Sequence, residues 1–341
     1  MILTVTPNPA LDLTWHLDSI RVAETHRADA AVARAGGKGL NVARVAHAQG
    51  AGARAITTVG GRTGEEFAAE LQASGVPHRL VPVAGSTRRS IALVDESLGD
   101  TTVVNERGIN PTDAEWAMLV GEVADGLPGA GVLVISGSLP PGAPDTLLPL
   151  LIGIGRDAGV PVIVDTSGPA LLQAADAGAS VLKPNAAELA EATGLDDPIE
   201  GARVLLDRGA SLVLLSRGAD GMLAISAAAP RSLSERSETK RVDPLGTLHI
   251  LHARLPASLA GNPTGAGDAA VAACAVLLDA GVDDPEQILR RATAWSAAAV
   301  LMPLAGEIHS SWPDLERAVE IRPLPAEPAS PSHDYDPKDP E

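Results

Sequence analysis

Short runs of consecutive apolar residues alternate with longer stretches in which apolar positions recur every three or four residues. The runs Ile2–Val5, Ala55–Val59, Val132–Ser136, Val160–Asp165, Val181–Lys183, Leu212–Ser216 and Met222–Ile225 are too short for helices and predict strands buried on both faces. The periodic stretches Leu40–Gln49, Gly64–Ser74, Thr112–Ala124, Pro144–Ala158, Ala186–Thr193, Ile199–Arg208, Ala266–Ala280, Pro285–Leu301 and Pro313–Val319 predict helices. Alternation of apolar strands with amphipathic helices is the pattern of an α/β protein with a central, mostly parallel sheet covered by helices on both faces.

Two stretches break this rhythm. Leu11–Val32 and Ser90–Asn105 alternate apolar and polar residues, as in LDLTWHL and SIALVDE. Period-two alternation predicts strands with one wet face. The pattern leaves two placements open: a small β lid formed by about 11–35 and 88–106, or two hairpins at an edge of the main sheet. Residues Ala227–Leu248 are charged and contain proline, so they read as a surface loop longer than most connections. Pro323–Glu341 holds six prolines and five acids against one lysine, the composition of a disordered tail. The expected division is one domain over 1–322 and a tail over 323–341.

Composition narrows the class. The chain has 341 residues, 45% of them hydrophobic, which suits one large α/β domain with an accessory element, or two modest domains. Phe and Tyr occur once each, so Ala, Val and Leu must build the core. The net charge of −17 disfavours nucleic acid and anionic membranes as partners, though it leaves room for a small basic pocket. Cys274 is the only cysteine, which excludes an intrachain disulfide and a Cys-based zinc site. Its setting, AVAACAVLL, predicts a buried structural thiol. No basic segment precedes an apolar core at the N-terminus, and no apolar run reaches the ~20 residues of a membrane span. The expectation is a soluble, cytoplasmic protein.

Three glycine- or proline-punctuated runs carry candidate chemistry. Gly261-Asn-Pro-Thr-Gly-Ala-Gly-Asp268 opens a long apolar helix. Its glycines admit close backbone approach, and the helix start offers unpaired N–H groups and a positive dipole end, together an anion hole for phosphoryl oxygens. Asp268 stands where a carboxylate would take a proton from an attacking hydroxyl, although an Asp in the first turn is stabilising without any function. A dinucleotide fingerprint over Gly265, Gly267 and Ala270 is a poor alternative, because no strand precedes it and no strand ending in an acid follows at the required distance. Ala35-Gly-Gly-Lys-Gly-Leu-Asn-Val-Ala-Arg44 again places glycines at a helix start, with Lys38 inside and Asn41 offering donor and acceptor. Its spacing is not that of a Walker A loop. Lys183-Pro-Asn-Ala-Ala-Glu188 reads either as a capping box or as Asn185 and Glu188 helping to hold a hydrated Mg²⁺. Ser136–Gly142 and Ser216–Gly221 end strands with turns, at the edge where α/β sheets bind ligands. His26-Arg27 and Arg88 put cations near the alternating segments, and Asp12 offers a carboxylate to sugar hydroxyls.

Taken in order, TPNPALD (6–12), GGKGLNVAR (36–44), SGSLPPG (136–142), KPNAAE (183–188) and GAGD (265–268) resemble the ribokinase-like, PfkB-type carbohydrate kinases over roughly residues 1–320, and within them the 1-phosphofructokinase and tagatose-6-phosphate kinase branch. The resemblance implies a ribokinase-like fold with a β lid that mediates a homodimer. It implies an ATP-dependent kinase acting on a hexose phosphate, with fructose 1-phosphate first and fructose 6-phosphate or tagatose 6-phosphate as close alternatives. A non-catalytic sugar-phosphate or nucleotide sensor is the alternative of another class. Mg²⁺ with ATP is implied, and a monovalent cation such as K⁺ is allowed. Asp268 corresponds to the catalytic base, and Gly265, Ala266 and Gly267 to the anion hole. Asp12, Arg27, Gly37, Lys38, Asn41, Arg88 and Ser138 correspond to the acceptor site. Lys183, Ser216, Gly218, Gly221 and Thr264 correspond to the nucleotide site, and Asn185 and Glu188 to the metal-associated positions. The chain departs from the branch at Ser90, where Asn is frequent, and at Arg217, where an apolar residue is usual.

Overall fold

The computed structural model describes residues 1–227 and 247–325. The chain opens with β1 (Ile2–Thr6), β2 (Ala10–Leu17), β3 (Val32–Gly36) and α1 (Lys38–Ala48). Next come β4 (Ala53–Val59), α2 (Gly61–Ala73), β5 (His78–Pro82), β6 (Arg88–Asp95) and β7 (Asp100–Asn105). The middle of the chain carries α3 (Asp113–Gly126), β8 (Val132–Ser136), α4 (Leu147–Asp157), β9 (Val162–Asp165), α5 (Pro169–Asp176), β10 (Val181–Leu182), α6 (Ala186–Thr193), α7 (Pro198–Arg208) and β11 (Leu212–Ser216). It ends with β12 (Met222–Ala227), β13 (Leu248–Arg254), α8 (Ala266–Asp279), α9 (Pro285–Val300), α10 (Trp312–Ala318) and β14 (Glu320–Leu324).

Ten strands form the main sheet in the order β14-β13-β12-β11-β10-β9-β8-β1-β4-β5. From β5 to β11 every pairing is parallel, and β12, β13 and β14 add antiparallel strands at one edge. The continuous apolar runs have their physical reason here. Successive residues of β8 point to opposite faces, Val132 and Val134 into one core, Leu133 and Ile135 into the other. Helices α1, α8 and α9 cover the first face; α3, α4, α5 and α7 cover the second. Helix α8 is buried almost all round and is built of Ala, which lets neighbours approach closely without aromatic bulk. Cys274 lies fully buried on it, and burial pushes its thiol up to about 12, as expected of a structural residue.

The alternating segments form a sheet of their own, in the order β3-β2-β6-β7. Strands β2 and β6 pair in parallel, so this is one lid and not two hairpins on the main sheet. The alternation does not run through to Val32 as expected. Residues 18–31 form no strand, because the sequence there loses its period and Val22 stands almost fully exposed. Strands β5, β13 and β14 and helix α5 were not anticipated. Their sequences, such as HRLVP in β5 and LHILHAR in β13, carry charge or proline that masks a strand. Strand β14 pairs Leu324 with Ile250 and Pro323 with Leu251, so the sheet extends past the expected boundary at 322. Likewise Leu248 belongs to β13 and not to a loop. Residues 228–246 and 326–341, read above as surface loop and tail, lie outside the described residues.

Candidate active site

The carboxyl ends of β1, β8, β9, β10 and β11 converge on the starts of α1, α6 and α8, and the lid stands over them. Between them lies a cleft of about 1100 Å³. This is the crevice where a doubly wound sheet binds ligands, since the strand order turns at β1.

Asp268 sits in the first turn of α8, buried, and accepts a hydrogen bond of 2.8 Å from Asn41 Nδ2. Burial, then the nearby charge of Asp165, push its carboxyl up to about 7, against the pull of Lys38, Asn41 and Lys183. That places it in the range of a general base working near neutrality. Gly265 takes the helix cap with φ 84°, and a side chain there would meet Ala305 at 2.8 Å. The amide of Ala266 donates to the Pro263 carbonyl at 3.2 Å, and Ala266 lines the cleft beside Gly265 and Gly267. The amides of Gly267 and Asp268 have no acceptor within the helix and are free for an anion. Lys183 Nζ lies beside them: a Cβ on Gly267 would meet it at 3.2 Å.

Below this helix start runs a chain of paired charges, Asp165 and Lys183 buried, Lys38 and Glu188 partly exposed. Asp165, the last residue of β9, is wholly buried and lies 3.4 Å from Lys38 Nζ and 3.5 Å from Lys183 Nζ, with Ser136 Oγ donating at 3.3 Å. Burial presses its carboxyl upward, yet Lys183 and Lys38 together hold it below the usual carboxylate range. Lys38 also approaches Glu188 Oε1 at 3.5 Å. Despite the desolvation that acts against its charge, Asp165, Glu188 and Asp268 keep its ammonium raised above the ordinary value. Asn185 and Glu188 form the capping box of α6, Asn185 N–H to Glu188 Oε2 at 2.9 Å and Glu188 N–H to Asn185 Oδ1 at 2.8 Å. Both readings of KPNAAE therefore meet in one residue: Glu188 Oε2 caps the helix, and Oε1 remains on the cleft side. No group of three His, Cys, Asp or Glu fit to cage a metal ion occurs among the described residues. This donor set fits Mg²⁺ arriving hydrated with a triphosphate, steadied by Glu188 Oε1, with Asn185 in a supporting place.

The acceptor side lies under the lid. Asp12 on β2 is mostly buried, and burial raises its carboxyl to about 6, opposed by Arg88, Arg34 and Arg44. Gly36 leaves room for it; any Cβ there would collide with the carboxylate. Gly37, with φ 122°, starts α1 close against Thr6. Arg88 and Ser138 line the same cleft. Arg27 does not: it is exposed in the irregular segment between β2 and β3 and is absent from the cleft wall, contrary to expectation. At the opposite end, Ser216, Gly218, Gly221 and Thr264 line the cleft together with an apolar wall from Leu255, Ala297 and Val300. That wall was missed in the sequence, as were Asp165, Asn8 and Arg107, which also line the cleft. A signal existed for Asp165, an acid ending an apolar strand. For the α9 residues there was none, since Ala and Val at helical spacing read as core.

The model of the pfkB family carbohydrate kinases matches residues 7–311, and the chain belongs to that family. It is an ATP-dependent carbohydrate kinase, and within that class a sugar-phosphate kinase. The ATP-dependent 6-phosphofructokinase isozyme 2 of Mycobacterium tuberculosis is 34% identical over 334 residues, 96% of this chain and 91% of that one. The 1-phosphofructokinase of Xanthomonas campestris pv. campestris is 33% identical over 303 residues, 86% of this chain and 89% of that one. Escherichia coli phosphofructokinase-2 in complex with fructose-6-phosphate superposes with a TM-score of 0.79 at 28% identity, covering 93% of this chain and 98% of that one. The same E. coli protein is known in complex with potassium and as a tetrameric inhibited form.

Proposed function

We propose that this kinase is a phosphofructokinase, transferring the γ-phosphoryl group of ATP to a fructose monophosphate to give fructose 1,6-bisphosphate. The observation that carries the reading is Asp268, a buried carboxyl raised to about 7 beside two free helix-start amides and Lys183. The motif resemblance puts fructose 1-phosphate first as acceptor. The M. tuberculosis relative, which matches a larger share of the chain, supports fructose 6-phosphate equally.

Phosphoryl transfer rests on positioning and charge neutralisation. Asp268 accepts the proton of the acceptor hydroxyl while that oxygen forms its bond to phosphorus and the bond to the ADP oxygen breaks. Asn41 holds the Asp268 carboxylate at one oxygen, which leaves the other for the proton. The amides of Gly267 and Asp268, with Lys183, meet the charge on the transferring group. Lys38, held by Asp165 and Glu188, brings a second cation to the acceptor side. Mg²⁺, when bound with ATP, would neutralise phosphate charge, and Glu188 and Asn185 are the residues that would steady it. A monovalent cation such as K⁺ remains part of the reading, by likeness to the E. coli protein. Asp12 binds sugar hydroxyls, Arg88 and Ser138 stand at the acceptor phosphate, and the Leu255, Ala297 and Val300 wall receives the base of the nucleotide.

The lid excludes water, which would otherwise compete as acceptor. The lid exposes Val32, Val103 and Val104, which supports pairing of two lids in a homodimer. No described helix is long and apolar enough to cross a membrane. Consumption of ATP and a sugar phosphate supports a cytoplasmic location. The test is ADP release with Mg-ATP across fructose 1-phosphate, fructose 6-phosphate, tagatose 6-phosphate, free fructose and ribose. Preference for one fructose phosphate is expected. ATP binding without turnover on any of them would replace the enzyme reading with a sensor.

A further inference from the structure

One corner of the cleft is assembled from four distant pieces of chain. Asn8 follows β1, Arg88 opens β6, Arg107 follows β7 and Ser138 follows β8, and all four line the cleft. They are tied to one another. Asn8 Nδ2 donates to the Arg107 carbonyl at 3.1 Å and to Ser138 Oγ at 3.4 Å. Arg88 Nε and Nη2 donate to the Asn8 carbonyl, each at 3.2 Å, and Nη1 donates to the Glu106 carbonyl at 3.2 Å.

These bonds give the two arginines different jobs. Arg88 is half-buried and spends three of its five N–H donors on main-chain carbonyls. Arg107 is exposed to the cleft, and its guanidinium has no hydrogen bond or ion pair among the described residues. Glu106, the carboxylate next to it in sequence, is turned to Arg89: Oε2 accepts the Arg89 N–H at 2.7 Å, and Oε1 lies 4.0 Å from Nη1. Arg107 therefore keeps its whole planar fork, the geometry that grips a phosphate dianion. Ser138 Oγ accepts from Asn8, so its own proton is free to be donated. A lone surface arginine is ordinarily just solvated. Here the main chain of Arg107 is pinned by Asn8, which restricts where its fork can reach. In a chain of net charge −17, an uncompensated cation at the cleft wall is also what lets a dianionic acceptor enter.

We propose that Arg107 is the specificity residue that selects a phosphomonoester on the acceptor. Its fork grips that phosphate, Ser138 donates to it, and Arg88 with Asn8 acts mainly by holding the Arg107 segment in place. This assignment rests on the kinase reading above and names the part of its site that separates phosphorylated from free sugars.

The experiment compares wild type, Arg107→Ala and Arg107→Lys in ADP release with fructose 6-phosphate, fructose 1-phosphate and free fructose, and in thermal melting. Arg107→Ala is expected to raise KM for the phosphorylated acceptor about 10- to 100-fold, the loss of a charge-assisted contact. KM for ATP, KM for free fructose and the melting temperature stay at wild-type values. Arg107→Lys recovers part of the loss, as a charge without the fork. An unchanged KM for the phosphorylated acceptor, or an equal rise for phosphorylated and free sugar, overturns the assignment. If wild type turns over no acceptor, the kinase reading falls and calorimetric binding of fructose 6-phosphate decides about Arg107. Weaker binding by Arg107→Ala upholds the assignment; equal binding, or none by wild type, overturns it.

Discussion

The floor of the cleft and its lid-side corner solve opposite electrostatic problems. On the floor, buried Asp165 and Lys183 and the partly exposed Lys38 and Glu188 neutralise one another, and burial keeps Asp268 close to neutral. At the corner, Arg88 is satisfied by carbonyls and Arg107 carries an unspent charge near water. Buried charges must be paired before substrate arrives, because desolvation is costly. Charges at an open wall can wait for their partner. The floor is thus preorganised for the transferring group, and the corner is a reader of the acceptor.

The largest expected effect is on the floor. Asp268→Asn should lower kcat by about 10²- to 10⁴-fold through loss of the base, with ATP affinity unchanged; kcat within about twofold of wild type would end the base assignment and the contrast with it. Asp165→Ala leaves two lysines without their shared carboxylate and should destabilise the fold by about 3–5 kcal/mol in chemical denaturation. A loss below about 1 kcal/mol would mean that the network is solvated like a surface pair.

The pH profile sharpens the comparison further. Asp268 must be ionised to act, and its carboxyl stands at about 7, so kcat/KM should rise with pH through about 7 and level above it. Asp165→Asn removes a like charge and should move this limb to lower pH; an unmoved limb would separate the two carboxyls. For stability the signs are opposed. The raised Asp268 carboxyl favours the fold at low pH, and that contribution fades as pH climbs from the unfolded value of about 4 through 7. The depressed Asp165 carboxyl favours the fold above its unfolded value, and that contribution is lost as acid protonates it. The smallest effect belongs to the corner: Arg88→Ala should raise the acceptor KM roughly 3- to 10-fold, less than Arg107→Ala, and leave the ATP KM in place. An equal rise in both KM values would mean that Arg88 supports the whole lid.

By itself the sequence determined the layer architecture and most of the floor. Short continuous apolar runs bounded by turn signals favour strands buried on both faces, and the first turn of a helix leaves amides without intrahelical partners. These are local consequences, so β8, β11, α6 and α8 were legible nearly to the residue, as was Asp268. Tertiary structure decided what depends on distant partners. The lid emerged as one sheet because β2 pairs in parallel with β6, across more than seventy residues of chain. The Ala266 amide meets the Pro263 carbonyl, a partner that only the folded turn supplies. Arg27 fell outside the cleft because residues 18–31 never join the lid strands. Arg88 and Arg107 look alike in sequence, and only the carbonyls that gather around one of them leave the other free. A charge's role depends on what else has already claimed its hydrogen bonds, and that is a property of the folded neighbourhood.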